Sequence, residues 1–147
     1  MQSITLRFLA SQDGLAQAGR VAGGAVLRWV DEAGFACASA WAKGPCTTAF
    51  VGGAHFVRSI RAGDLVEVHA RLASTTDTGM QLAVEVRSGG IHGEPLQEVL
   101  HCVAVYTAVD ADGQPRAVDR WSPETPGDIA LAQRVGAHIE AAARAAQ

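Results

Sequence analysis

Gly23-Gly24-Ala25-Val26-Leu27-Arg28-Trp29-Val30-Asp31-Glu32-Ala33 is the stretch on which the fold turns. From Ala25 to about Trp41, the residues Val26, Leu27, Val30, Ala33, Gly34, Cys37 and Trp41 recur at helical spacing. Trp29, Phe35 and Ala36 make the other side apolar too, so the pattern predicts a helix buried all round. Its only charges are Arg28, Asp31, Glu32 and, near the far end, Lys43. Gly44-Pro45 ends it, because proline cannot continue the hydrogen-bond ladder.

Outward from this helix the periodicity changes from helical to alternating. Ile4, Leu6 and Phe8 share one side of a first strand over residues 2–10, and a glycine-rich loop follows over 11–24. After the helix, strands are predicted at 47–56, 65–74, 80–87 and 97–108, separated by turn chemistry suited to an antiparallel meander. Residues 114–127 form a polar connector, and Asp128 stands as N-cap of a C-terminal helix running to about Arg144. The expected class is α+β, with an antiparallel sheet wrapped around a buried central helix and a peripheral C-terminal helix. A sheet that covers one helix leaves an edge and a face open, so at least a dimer is expected.

With 147 residues, 48% of them hydrophobic, the chain can bury a single core. A net charge of −3 and scattered Lys and Arg exclude a phosphate-tracking stripe, so nucleic acid is not an expected partner. No stretch approaches the roughly 20 apolar residues that span a bilayer, and the N-terminus lacks a basic region followed by an apolar block; membrane insertion is not expected and a cytoplasmic location is. Cys37, Cys46 and Cys102 lack paired metal spacing and are expected to be ordinary thiols, Cys37 in the core. His55, His69, His92, His101 and His138 contain no HExxH, and no GxSxG is present, so neither a metal nor a serine triad is expected.

The chain resembles the hotdog-fold acyl-CoA thioesterases, in the acyl-CoA hydrolase branch, whose helix signature GG-x-x-x-x-W-x-DE stands here as Gly23 to Glu32. The resemblance continues through Thr48-Ala49-Phe50-Val51 and then through Phe56 to Val66, with Ser59 in place of the family's proline. Thr78-Gly79-Met80 is similar to the family's T-S-M, and Thr107 to Arg116 to its F-V-A-x-D-x-D-G-x-P-R. On this likeness residues 1–118 form the hotdog domain, and 119–147 the connector and C-terminal helix of the same domain. One departure stands in the loop: Gly14-Leu15-Ala16 replaces the family's D-T-N or H-x-N, with Ala16 at the asparagine.

The implied activity is hydrolysis of an acyl-CoA to a free carboxylic acid and CoA, which needs a group to activate water or attack the carbonyl, and donors for the oxygen that turns negative. Asp31 is the group the resemblance supplies, as general base or nucleophile. A carboxylate in so apolar a helix is costly to bury unless it is paired or used, and Arg28, three residues earlier, is the partner it would take if it merely faced water. The amides of Gly23, Gly24 and Ala25, at the positive end of the helix dipole, are the expected donors. Asp31 lies about 10 Å along the axis from Gly24, at 1.5 Å per residue, so one carbonyl cannot touch both. The site must then combine the helix start of one subunit with Asp31 of another, in a homodimer or a higher homo-oligomer such as a tetramer or hexamer. Arg58 and Arg61, with the Thr78-Gly79 backbone and Met80, are the candidates for holding CoA, with Arg87 and Arg116 behind them. CoA enters as part of the substrate and no separate cofactor is expected. Two other readings stay open: an acyl-CoA or acyl-ligand binding hotdog protein without turnover, which Ala16 motivates, and a hotdog dehydratase, which lacks its Asp/His pair before the helix.

Overall fold

In a computed structural model, which describes residues 2–11 and 17–146, the chain forms strand β1 (Ser3–Leu9), helix α1 (Gly23–Ala42), strands β2 (Cys46–Gly52), β3 (Leu65–Thr75), β4 (Gly79–Gly89) and β5 (Gln97–Ala108), and helix α2 (Pro126–Ala145). Gly14, Leu15 and Ala16 lie outside the described residues. The strands make one antiparallel sheet in the order β1-β3-β4-β5-β2.

Strand alternation decides what each face of the sheet does. Val66, Val68, Ala70 and Leu72 of β3 and Met80, Leu82, Val84 and Val86 of β4 are fully buried against α1, beside Leu100, Ala104 and Tyr106 of β5. From α1, Val26, Val30, Ala33, Gly34, Cys37, Ala38 and Ala42 fill this core. On the opposite face, Leu131 and Val135 of α2 cover Ala73 and Val103 in a second, smaller cluster. The result is three layers, α1, sheet and α2, with apolar surface removed from water on both faces of the sheet.

Four local expectations change. The central helix is buried on one face only: Leu27 is 38% and Phe35 43% exposed, because the sheet covers a single side of the helix. Its C-terminus turns at Lys43, in the left-handed conformation, whose N–H donates to Ser39 O at 2.8 Å before Pro45 is reached. Strand β2 stops at Gly52 rather than continuing to 56; Gly53 takes φ of +74°, and the following segment joins β5 only through Val57 N–H to Val99 O at 2.8 Å. The cap of α2 is Thr125, whose hydroxyl accepts from the Asp128 N–H at 3.1 Å, with Pro126 in the first turn. Asp128 instead sits inside the first turn, where a carboxylate suits the helix dipole, and pairs with Arg71.

Residues 114–125 do not hang free. Arg116 N–H bonds Ala108 O at 2.8 Å, Val118 N–H bonds Asp77 O at 3.0 Å, and the Trp41 indole donates to Asp119 O at 2.9 Å. All three cysteines are free thiols and buried. Among the described residues no helix is long and apolar enough to cross a membrane.

The two edges of the sheet differ. β1 carries Arg7, paired with Glu67 at 2.8 Å, whereas β2 carries no charged residue from Cys46 to Gly52 and leaves Thr47, Thr48, Ala49 and Val51 exposed.

Candidate active site

At the start of α1 the residue before the helix is Ala22, which offers no side-chain oxygen to the first amides. A helix leaves its first N–H groups without intrahelical partners. Those of Gly23 and Gly24 have none among the described residues, while Ala25, expected as a third donor, bonds back to Ala22 O at 3.0 Å. Beside Gly24 the space is open: a Cβ built there meets nothing within 4 Å, whereas at Gly23 it meets the Phe56 ring at 3.5 Å. Two unbonded amides thus start the helix beside open space.

The arginines gather at this end of the helix. The Arg61-Ala62-Gly63-Asp64 turn is closed by Arg61 N–H to the Asp64 carboxylate at 2.9 Å and by φ of +87° at Gly63. It is tied to the segment before α1 by Val21 N–H to Ile60 O at 2.8 Å and Ala62 N–H to Gly19 O at 3.1 Å. That stitching places Arg20, absent from the expected set, beside Arg58 and Arg61 on one cleft of about 510 Å³. A slot of about 230 Å³, lined by Gly23, Phe56 and Val99, shares Arg58 and Ser59 with it. The two clefts adjoin at Arg58 and Ser59, so three arginines, with the Asp64 carboxylate among them, lie next to the slot that reaches Gly23.

Asp31 lies further along α1 in different company. Its Oδ1 accepts from the Thr48 hydroxyl at 3.0 Å and from the Tyr106 hydroxyl at 2.9 Å; no partner among the described residues bonds Oδ2. Arg28 is not its partner, being 3.7 Å from Glu32 instead. Thr48 of β2 and Tyr106 of β5 are opposite one another in the sheet, and a bulge beside Thr48 breaks the alternation there. Burial, then the hydrogen bond to Asp31 and its charge, push the Tyr106 phenol well above its ordinary pKa, so its proton stays on as a donor. Neither Thr48 nor Tyr106 was expected as a site residue. The one signal was that Tyr106, the only tyrosine, sits on a buried strand position where a phenol needs a partner.

The remaining candidates divide between the two ends. Thr78, Gly79 and Met80 open β4 at the Asp31 end, where Met80 pairs with Tyr106 and its side chain is wholly buried. Ser88 and Gly89, which line the arginine cleft, close β4 at the other end, about 30 Å away at 3.3 Å per residue. Within one chain, then, Thr78-Gly79 and the Arg58-Arg61 pair do not converge. Arg116 donates to Ala42 O at 3.0 Å, at the carbonyl end of α1, and Arg87 to Leu96 O at 2.9 Å; neither lines the arginine cleft.

A third cleft, of about 800 Å³, lies beside α2 and is lined by His55, His69, His101 and His138. Its charged groups largely answer one another, Arg71 with Asp128, Arg87 with Glu85 at 3.7 Å and His101 with Glu98. No cluster of His, Cys, Asp or Glu among the described residues is placed to hold a metal ion.

The chain is similar to known proteins in sequence and in fold. A model of the thioesterase superfamily matches residues 18–93. The acyl-CoA thioester hydrolase YciA of Escherichia coli is 30% identical over 118 residues, which is 78% of this chain and 89% of that protein. A hexameric acyl-CoA thioesterase of known structure shares the fold, with a TM-score of 0.90 and 24% identity over 98% of this chain and 92% of the other. A hexameric thioesterase of Yersinia pestis superposes with a TM-score of 0.74 at 29% identity, over 78% and 93% of the two chains.

Proposed function

The chain belongs to the thioesterase superfamily, and we propose that it hydrolyses acyl-CoA to a free carboxylic acid and CoA at a site shared by two copies of itself. The observation that carries this is the separation of two half-sites along α1: unbonded Gly23 and Gly24 amides beside three arginines at one end, and an Asp31 carboxylate held by two hydroxyls at the other. One thioester spans both only when the helix start of one copy faces Asp31 of another. The open β2 edge and the uncovered Leu27 and Phe35 are the surfaces on which such a copy would pair. Relatives described as hexameric acyl-CoA thioesterases support a homo-oligomer.

Asp31 takes a proton from water through its free oxygen, or attacks the thioester itself, while the Gly24 N–H receives the carbonyl oxygen as it becomes negative. Collapse of the tetrahedral species breaks the carbon–sulfur bond. By the base route Asp31 returns its proton to the departing thiolate and the acid remains; by the nucleophile route the thiolate leaves an acyl–aspartyl anhydride, and the water that hydrolyses it to the acid and free Asp31 supplies the thiol proton. Arg20, Arg58 and Arg61, which line one cleft, hold the CoA phosphates. The Thr78-Gly79 turn, at the Asp31 end of β4, serves the site from the partner copy. The second reading, binding without turnover, rests on Ala16 in place of the family's asparagine.

Thiol release across acyl-CoAs from acetyl to palmitoyl separates the two. Turnover is expected, with Asp31→Asn losing at least about 100-fold in kcat and keeping CoA affinity. CoA binding without turnover at any chain length would establish the second reading.

A further inference from the structure

Tyr106 spans the core from β5 to α1 and is the largest fully buried side chain among the described residues. A buried phenol needs an acceptor, and this one has two on the same residue: Asp31 Oδ1 at 2.9 Å and Asp31 O at 3.2 Å. If the hydroxyl served only to satisfy itself, the backbone oxygen would suffice, yet the shorter bond goes to the carboxylate. Thr48 donates to that same oxygen from β2, so both donors converge on Oδ1, and no described residue bonds Oδ2. Two donors on one oxygen fix the rotation of the carboxylate about its last bond and decide which oxygen is offered outward.

The helix makes a concession to this arrangement. Gly34 lies in the middle of α1 with an ordinary helical backbone, so no positive φ requires a glycine there. What requires it is space: a Cβ would overlap the Tyr106 hydroxyl and lie 2.9 Å from two of its ring carbons. Mid-helix glycine is unfavourable, and here it sits less than one turn beyond Asp31, where the tyrosine hydroxyl must pass to reach the carboxylate.

We propose that Tyr106 is a positioning residue for catalysis: its hydroxyl, admitted by Gly34 and helped by Thr48, locks Asp31 so that Oδ2 alone faces the water or thioester. The inference rests on the reading of Asp31 as the catalytic group. Tyr106 exchanges no proton in the reaction; its bond to Oδ1 persists while Oδ2 gains the proton from water.

The test is steady-state and single-turnover thiol release from butyryl-CoA by the full chain and its Tyr106→Phe, Asp31→Asn and doubly substituted forms. Tyr106→Phe should lower kcat by about 10-fold to 100-fold, the effect of one hydrogen bond to a charged group, with KM within about twofold. In the Asp31→Asn background the tyrosine change should lower the residual rate no further, because its effect passes through the missing carboxylate. A kcat within about twofold of the parent, or the same fold-loss in both backgrounds, overturns the proposal. Because Tyr106 is the only tyrosine, biosynthetic fluorotyrosine labels it alone, and its fluorine resonance can be followed in the otherwise unaltered protein. That resonance should move in Asp31→Asn; an unmoved line overturns the proposal even if Tyr106→Phe fails to fold. Full turnover in Asp31→Asn with a normal parent would remove the reading of Asp31 itself, and the inference with it.

Discussion

Gly34→Ala sets helix propensity against packing, and the two predict opposite signs. In a helix interior alanine is favoured over glycine by about 1 kcal/mol, so a free helix would gain. In this protein the new Cβ lands on Tyr106, whose hydroxyl it would overlap and whose ring carbons it would approach to 2.9 Å. The ring cannot retreat, being fully buried among core side chains. Forcing one extra carbon into such a core costs about 1–3 kcal/mol. Moving the hydroxyl off Asp31 leaves a buried donor unsatisfied, a further loss of about 1–3 kcal/mol. Packing wins, with a net loss of about 1–5 kcal/mol. For a chain of this length that lowers Tm by about 2–20 °C. Thermal melts of the parent, Gly34→Ala, and Gly34→Ala combined with Tyr106→Phe measure it, and the double variant should recover part of the loss because the hydroxyl is gone. A Tm for Gly34→Ala at or above the parent's would refute the reasoning, since it would mean that Tyr106 is not pinned against the helix.

Removing Arg20, Arg58 or Arg61 as alanine should each raise KM for acyl-CoA by about 3-fold to 10-fold and leave hydrolysis of a short pantetheine thioester, which has no nucleotide, unchanged; equal effects on both substrates would place the phosphates elsewhere. Burial raises the Cys37 and Cys102 thiols from about 9 to about 11, so above pH 9 the unfolded chain releases protons that the folded one keeps. Stability should therefore hold below pH 9 and fall between about 9 and 11, as urea midpoints against pH will record, and Cys102→Ala should flatten part of the fall. Ala16→Asn, which restores the residue the family carries, should raise kcat if the loop keeps the family geometry.

The elements were legible because their signals are local. The Gly23-Gly24 start, the helical spacing of Val26, Val30, Ala33 and Cys37, and the alternation in β3 and β4 each lie within one element. The surroundings of Asp31 were not, because Thr48 and Tyr106 come from strands 17 and 75 residues away. The sheet order puts β2 next to β5, and no pattern within either strand encodes that neighbour. Arg20 was missed for the same reason, since only the pairing of residues 19–21 with 60–62 brings it to Arg58 and Arg61. Thr125 was passed over because Asp128 is an equally good cap by composition, and the choice is made by where Pro126 starts the helix. The overburied central helix has a different cause: apolarity says that a face will be covered, not that the same chain covers it.

The uncharged β2 edge has a consequence in time rather than in space. Sheet edges in natural proteins are commonly guarded by charge or proline, and this seven-residue strand has neither. Under the pairing proposed above, a newly made chain that has not yet met a second copy presents an open row of backbone donors and acceptors flanked by exposed Val51. That row does not distinguish a correct partner from a half-folded neighbour, so yield depends on how quickly folding is followed by pairing. The strand that supplies Thr48 to the site is thus also the place where crowded, slowly folding copies would first stick together.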